Sequence, residues 1–429
     1  MTMQGFADRA PRRARRAALA LLLAGLAGSA LATNGYFPHG FGLKAKGMGG
    51  AAIALDHDAF GGVNNPASVA MGEARIDIGA EWFRPRRDAQ FVGMTPVVDS
   101  GRKDFLIPEF GYTARLNDRL AWGVTVYGNG GMNTSYPAFG NGSNLLNPMP
   151  NAGKLGVDLM QLIVAPHLGW TPAPGHALGV APLFVLQRFE AYGLQSFGGF
   201  SSQPAAVSNR GKDSSTGVGL RLGYRGRLSP QLDVGLSYSP KTRMSRFKRY
   251  EGLFAGQGDF DIPANWGVGL AFKATPALTF ALDYQRIEYS RVPSIGQASL
   301  ARLFAGQALG AAGGPGFGWR DIDIVKLGVQ WQWNDRWTLR AGFNVGGNPV
   351  QPADAMFNIL APGVVRRHYS IGATYAADRR QEWTLAAWRA GREDVVGPSV
   401  NFMTNQMNPL GTRIGMRQTG LGVQYGLRF

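Results

Sequence analysis

"ANWGVGLAFKA", residues Ala264 to Ala274, is the stretch whose reading decides the fold. Trp266, Val268, Leu270 and Phe272 share one face of an extended chain, and Gly267, Gly269, Ala271 and Lys273 share the other. This period of two is the signature of a strand with unlike faces. "LTFALDYQ" repeats it, with Leu278, Phe280, Leu282 and Tyr284 against Thr279, Ala281, Asp283 and Gln285. "RWTLRAGFNVG" does so again, with Trp337, Leu339, Ala341, Phe343 and Val345 against Thr338, Arg340, Gly342 and Asn344. The second face is too small and too charged to be half of an apolar core. It faces water or a plug.

Outward from these three, the pattern yields fourteen segments, beginning near Arg75, Phe105, Arg119, Leu159, His176, Ser215, Gln231, Ala264, Ala277, Asp321, Arg336, Arg367, Glu382 and Arg413. Six connections are tight: "LNDRL", "TPAPGHA", "LSPQL", "ATPAL", "WNDRW" and "AADRRQE". Seven are long, around 85–104, 129–158, 188–214, 247–263, 290–318, 347–366 and 391–412. Short turns alternating with long loops on an even strand count is how a bacterial transmembrane barrel is organised. Closure removes the sheet edges and pairs each backbone group where no water is present. A soluble β-sandwich is the alternative, but its loops do not sort by length in this way. The predicted fold is an all-β transmembrane, 14-stranded antiparallel β-barrel. Its last strand, "GLGVQYGLRF", puts Val423, Tyr425, Leu427 and Phe429 on one face and ends on an aromatic, which suits pairing with a strand-adding barrel-assembly machinery.

Composition places the chain. Among its 429 residues are 61 glycines, 11% aromatics and no cysteine, so disulfides and thiolate sites are excluded. Arg9, Arg12, Arg13, Arg15 and Arg16 precede the apolar "AALALLLAGLAG" and an Ala30-Leu31-Ala32 cleavage site. Residues 1–32 therefore read as a signal peptide, and the apolar run is too short to span a membrane as an anchor. Cleavage removes five arginines and one aspartate and takes the formal charge from +16 to +12. In an exported chain that excess meets anionic lipid or cargo rather than nucleic acid.

Between the leader and the first strand lies "TNGYFPHGFGLKAKGMGGAAIALDHDAFGGVNNPASVAMG", Thr33 to Gly72, which shows neither helical nor strand periodicity. "KGMGGAAIAL" followed by Asn65-Pro66-Ala67, ahead of a fourteen-strand count, resembles the FadL family of outer-membrane transporters for long-chain fatty acids and aromatic hydrocarbons. "NDRLAWGVTVYG", "IPANWGVGLAF", "LTFALDYQ" and "NDRWTLRAGF" are similar to that family's strands and turns. The resemblance implies a monomeric barrel (75–429) with residues 33–74 folded as a hatch, or plug, in the lumen. Lumen side chains such as Arg221, Arg225, Arg340 and Lys326 would bond to it. It also implies passive transport by loop capture, hatch-gated binding and lateral release at a kink in the third strand, without cofactor, nucleotide or metal. The matching kink is "YGNGG", with Gly128, Asn129, Gly130 and Gly131.

For the hydrophobic cargo, candidate contacts are Tyr36, Phe37, Phe41 and Phe60 in the hatch, and Phe189, Tyr192, Phe197 and Phe200 in a long external loop. Packing of these rings against the wall or within the loop is the plainer reading of each. Lys241 and Arg243 share parity with the lumen face of their strand and are candidates for a cargo carboxylate; Arg246 and Lys248 have the opposite parity and suit lipopolysaccharide phosphates. Asp56-His57-Asp58 lacks a second histidine at ligand spacing and reads as a solvated loop rather than a metal site. "GAAGGPGFG", Gly310 to Gly318, lacks the lysine of a phosphate loop. With no nucleophile elbow or zinc motif, enzymatic chemistry has no anchor. A general aqueous porin is the main rival, and an outer-membrane lipid-modifying enzyme a more distant one.

Overall fold

The alternation becomes a wall when each strand pairs with the next. The computed structural model describes residues 34–55, 57–401 and 406–429; the leader segment, Thr33 and Asp56 lie outside the described residues. Fourteen strands form the ring: β1 (Arg75–Phe91), β2 (Phe105–Arg115), β3 (Leu120–Tyr136), β4 (Leu155–Ala173), β5 (His176–Tyr192), β6 (Asp213–Ser229), β7 (Leu232–Ser239), β8 (Asn265–Thr275), β9 (Leu278–Ile287), β10 (Ile322–Gln332), β11 (Trp337–Gly346), β12 (Arg367–Ala376), β13 (Gln381–Asn401) and β14 (Gln406–Arg428). All neighbours are antiparallel and follow chain order, and β14 pairs back onto β1 from Arg75↔Arg428 to Phe91↔Thr412, which closes the barrel. A two-residue strand, Val98–Asp99, folds back on β1 within the first long connection. No helix among the described residues is long and apolar enough to cross a membrane.

The faces sort inside out relative to a soluble protein. Leu270, Phe272, Phe280, Leu282, Leu385 and Leu421 are each more than two-fifths exposed, whereas Asp77, Glu81, Asp283, Asn344 and His368 are buried. The outward apolar surface belongs against lipid, where its exposure costs nothing. Aromatic pairs line the short-turn end, with ring centroids 5.2 Å apart for Tyr112–Trp122, 5.0 Å for Trp337–Tyr375 and 5.0 Å for Trp383–Tyr425. A second row, including Trp82, Tyr238, Tyr284 and Tyr369, lies toward the long loops. Two such girdles mark the membrane interfaces.

Three expectations differ from the structure. The connection expected around 391–412 is mostly strand, because β13 runs to Asn401 and β14 begins at Gln406 rather than near Arg413. Register shifts between Ala390 and Glu393 and between Gly397 and Ser399 break the period of two there, which hides the strand. Phe189 and Tyr192 belong to β5 and not to a loop, and Phe189 and Phe197 are buried, leaving Phe200 the exposed ring of the four. Lys241 and Arg243 lie past the end of β7 at Ser239, where strand parity no longer applies. Both are exposed, while Thr242 and Met244 point inward.

Phe429 helps to fasten the closing seam: its N–H donates to the Ala74 carbonyl (3.1 Å), and its ring lies 6.2 Å from that of Tyr112. Deleting Phe429 is expected to slow formation of the compact, heat-modifiable species on gels. An unchanged folding rate would show that this end of the seam does not limit closure.

Candidate functional site

The segment from Asn34 to Gly72 contains three short helices, α1 (Leu43–Gly47), α2 (Gly61–Asn64) and α3 (Ser68–Met71), and bonds to strands on opposite sides of the ring. Leu43 N–H donates to Gln424 of β14 (3.0 Å), Gly49 N–H to Ser370 of β12 (2.8 Å), and the Ala52 and Ile53 amides to Asp283 of β9 (2.7 and 3.0 Å). Arg225 of β6 donates to the Ala54 carbonyl (2.7 Å) and Arg221 to that of Val63. Of the four basic lumen residues expected to bond this segment, these two do. Arg340 instead donates to Gln330 and Thr374, and Lys326 faces Asp283, whose carboxylate takes the Ala52 and Ile53 amides.

Asn65-Pro66-Ala67 docks against β5 and β6. The Asn65 amide donates to the Ile53 (2.8 Å) and Tyr224 (2.9 Å) carbonyls and accepts from Ala67 N–H (3.1 Å). Gly223 is required opposite, because a Cβ there would lie 2.0 Å from Asn65 Oδ1. The motif ties the segment to the wall.

Two buried lysines of α1 hold the segment electrostatically. Lys46 Nζ lies 2.5 Å from Glu81 of β1 and 2.6 Å from Glu109 of β2, and Trp388 Nε1 donates to Glu81. Burial alone would lower the Lys46 pKa, but Glu109 and Glu81 outweigh it and hold it above the ordinary value. Lys44 pairs with Glu382, which Arg75 and Arg428 also approach; burial, and then Arg75, lower its pKa. His39 stacks on His368 (5.6 Å), and burial followed by His368 keeps its pKa well below the usual value.

Toward the long loops, aromatics converge. Tyr36 packs on Phe37 (5.1 Å), Tyr289 (5.5 Å), Trp319 (6.1 Å) and Phe260 (6.4 Å), and Tyr289 OH donates to the Asn34 carbonyl. Phe41 meets Tyr127 of β3 edge-on at 4.8 Å, and Phe60 lies beneath Gly42. Three cavities lie on this side of the ring. A groove of about 520 Å³ opens among Phe91, Met94, Phe139, Leu145, Met356 and Met407. A pocket of about 50 Å³ is walled by Phe189, Phe197, Phe254, Leu309, Phe317 and Phe357, with Ser294 its one polar side chain. Leu146 lines both. A narrower space of about 10 Å³ lies between Tyr36, Trp319, Met132 and Arg87. Leu360 lines the pocket and the next residue, Ala361, lines that space. Lys241 and Arg243 line none of them, and Lys241 pairs with Asp261 at 3.0 Å.

The inner space ends at an incomplete wall. β2 pairs with β1 from Phe105 to Thr113, yet with β3 only from Phe110↔Val126 to Arg115↔Ala121. Above Val126, β3 has a ladder to β4 alone, with a bulge at Asn129. Pro108 brings no N–H to a β2–β3 ladder. Gly130 has φ +144°, and a Cβ there would meet the Tyr36 carbonyl at 2.0 Å. Asn129 donates to Gln161 (3.0 Å). At the top, Gly101 N–H donates to the Ser135 carbonyl (2.7 Å), Ser100 accepts from Ser135 N–H (3.0 Å), and Arg102 pairs with Asp158 (3.1 Å).

Residues 38–429 match the family model described as outer membrane protein transport protein (OMPP1/FadL/TodX). The chain belongs to this family. It is 22% identical over 388 residues to the long-chain fatty acid transport protein of Escherichia coli (strain K12), covering 81% of this chain and 84% of that protein. Among solved structures, the P. putida toluene transporter TodX superposes with a TM-score of 0.68 at 17% identity, covering 91% of this chain and 99% of that one. A Pseudomonas aeruginosa FadL homologue gives 0.67 at 15%, with 92% and 100% covered. At these identities the solved structures speak for the fold. Family and barrel together place the protein in the outer membrane, and family members are transport channels rather than enzymes.

Sequence reasoning misses Glu81, Glu109 and Glu382, which stand at alternating lumen positions but have no local sign of a partner. It also misses Tyr289 and Trp319, from opposite ends of one long connection, and Phe260, from another. Replacing Lys46 by Met strands two buried carboxylates, a change worth about 3–5 kcal/mol. Lys46→Met is expected to loosen the segment: ion conductance in planar bilayers rises and the thermal midpoint falls. Unchanged conductance and midpoint would show that this ion triad does not hold it.

Proposed function

We propose that this protein carries hydrophobic molecules passively across the outer membrane and releases them sideways through the β2–β3 wall. Residues 33–74 act as the hatch, which blocks an aqueous route. The observation that carries the reading is the stretch of β2–β3 wall without a ladder, together with an apolar groove and an apolar pocket that share Leu146 toward the long loops. Cargo settles in the groove, where Met94, Met407 and Leu410 are more than half exposed, and passes Leu146 into the ring-lined pocket. Tyr36, Phe37 and Phe41 separate that pocket from the wall opening, and a shift of the hatch around Tyr36 admits the cargo. Bulged Asn129 and Gly130 leave the strand edge free there. An apolar molecule that leaves by this route avoids the water-facing path below the hatch.

Both long-chain fatty acids and aromatic hydrocarbons suit these walls. Arg87 favours a carboxylate: it is buried, lines the innermost space, and its Nη2 has no hydrogen-bond partner. We further propose that the chain works as a monomer, since its ring closes on itself, and that its last strand is presented to the assembly machinery through Phe429.

Deleting Asn129 removes the extra residue of the bulge and restores an uninterrupted register with β4. Cells producing equal amounts of folded protein are expected to lose uptake of both labelled oleate and labelled toluene, severalfold or more. Uptake equal to that of the unaltered protein would place the exit elsewhere. In the same strain background, Arg87→Met should weaken oleate uptake and spare toluene.

A rival general porin makes the opposite statement about water. Liposomes containing the purified protein are expected to be nearly impermeable to small sugars, because the hatch fills the ring. Permeation at general-porin rates would favour an open aqueous channel.

A further inference from the structure

Outside the cargo path, the outer face of the barrel carries a group of arginines that the fold does not neutralise. Arg86 of β1 and Arg417 of β14 stand directly opposite each other across the closing seam, and both are exposed. Arg389 of β13 lies beside them: it pairs with Thr419, which pairs in turn with Arg84. Among the described residues, no acidic side chain forms an ion pair with Arg86, Arg389 or Arg417, and no side-chain hydrogen bond holds their guanidinium groups. Like charges directly opposite on a sheet destabilise it, so packing alone does not account for the arrangement.

Their neighbours show what a neutralised arginine looks like here. Arg84 pairs with Asp104 at 3.3 Å, and Arg367 reaches Glu393 at 4.0 Å. Just above, Arg392 and Arg413 are held by Asp88 and Asp394 at 2.7–3.1 Å, so those two carboxylates are already engaged. On another sector, Arg286 is matched by Asp323 (2.8 Å) and Asp321 (3.2 Å). The three unneutralised arginines share the β13–β14–β1 sector.

Height adds the second observation. Arg417 lies eight residues above Tyr425 of the short-turn girdle. At about 3.3 Å per residue and a tilt of about 40°, that is roughly 20 Å, close to the top of an apolar band of about 25 Å. Tyr369, 58% exposed, pairs with Arg389 and marks the upper girdle on the same sector. The three guanidinium groups therefore sit at headgroup level of the outer leaflet, facing lipid. The loop cations Arg246 and Lys248 are also exposed, but they stand on the 240–264 connection and not on a strand.

We propose that Arg86, Arg389 and Arg417 form a binding site for the phosphate groups of an outer-leaflet glycolipid of the lipid A type. Guanidinium is suited to this ligand because its planar fork gives two parallel hydrogen bonds to phosphate and because it is weakly hydrated at an interface. Several such contacts on one rigid sheet face hold a diphosphorylated headgroup against the seam. The site depends on the outer-membrane location and not on the cargo route, so a failed uptake experiment leaves it untouched.

The test uses the full-length protein in detergent, delipidated, with diphosphoryl lipid A, the same lipid with its phosphates removed, and inorganic phosphate as probes. Native mass spectrometry and the thermal midpoint are read for the unaltered protein, for the triple variant Arg86→Gln, Arg389→Gln, Arg417→Gln, and for Arg286→Gln. Heat-modifiable mobility confirms that each is folded. Retention of one diphosphoryl lipid A and a raised midpoint are expected for the unaltered protein and Arg286→Gln, with binding at least tenfold weaker in the triple variant. Dephosphorylated lipid and inorganic phosphate at equal concentration should give no shift. Equal binding by the triple variant, equal binding of the dephosphorylated lipid, or an equal shift with inorganic phosphate would each overturn the site.

Discussion

In hydrocarbon, a backbone N–H or C=O without a partner has no water to fall back on, and each costs several kcal/mol. The β14–β1 seam answers this constraint along seventeen residue pairs, from Arg75↔Arg428 to Phe91↔Thr412. Every other feature depends on that closed ring. It provides the inner face on which a Gly/Ala-rich segment with no core of its own is held. It also makes any unladdered stretch conspicuous. The gap between β2 and β3 is such a stretch, and its cost is limited locally: Pro108 has no N–H to leave unpaired, Gly130 turns its backbone toward Tyr36, and the first connection caps the top through Ser100 and Gly101.

The interior inverts the usual relation of charge to burial. Lys46, Glu81, Glu109, Lys44, Glu382 and Arg75 are all nearly inaccessible. Buried charges are tolerated when each has its opposite within hydrogen-bond distance, and they are then costly to separate. That makes the contact between the amino-terminal segment and the wall specific: a slip of one residue in α1 would leave Lys46 without Glu109 and Glu81. The aromatic cluster around Tyr36 is different. It is held by ring packing and a hydrogen bond between Tyr289 and Asn34, which dissociate at lower cost than an ion triad. The segment is thus held by an ion triad at Lys46 and by ring packing at Tyr36.

Where sequence and structure part, the cause is local irregularity. Register shifts in β13 break the alternation, so the strand above Ala390 reads as loop. Parity fails at Lys241 and Arg243 because the strand has already ended at Ser239. Phe189 and Tyr192 read as loop for want of a turn signal marking the end of β5. The kink is legible because Gly128, Gly130 and Gly131 cluster within four positions, but its ladder to β4 persists, and the missing pairing lies on the β2 side.

What the sequence by itself determined is the period and the punctuation: apolar residues at every second position, tight turns alternating with long connections, and an aromatic end. These are properties of neighbours along the chain, and in an antiparallel barrel each strand also neighbours the next in space. The strand count and the lipid-facing side followed from them, and the family from the resemblance of "KGMGGAAIAL" and Asn65-Pro66-Ala67 ahead of the first strand. Which lumen charge meets which lysine, and which rings from the 240–264 and 288–321 connections surround Tyr36, was decided only in three dimensions. Those contacts join residues hundreds of positions apart, such as Lys44 with Glu382 or Tyr36 with Tyr289. Distances of that kind are set by the diameter and register of the closed ring, and no local pattern of residues encodes them.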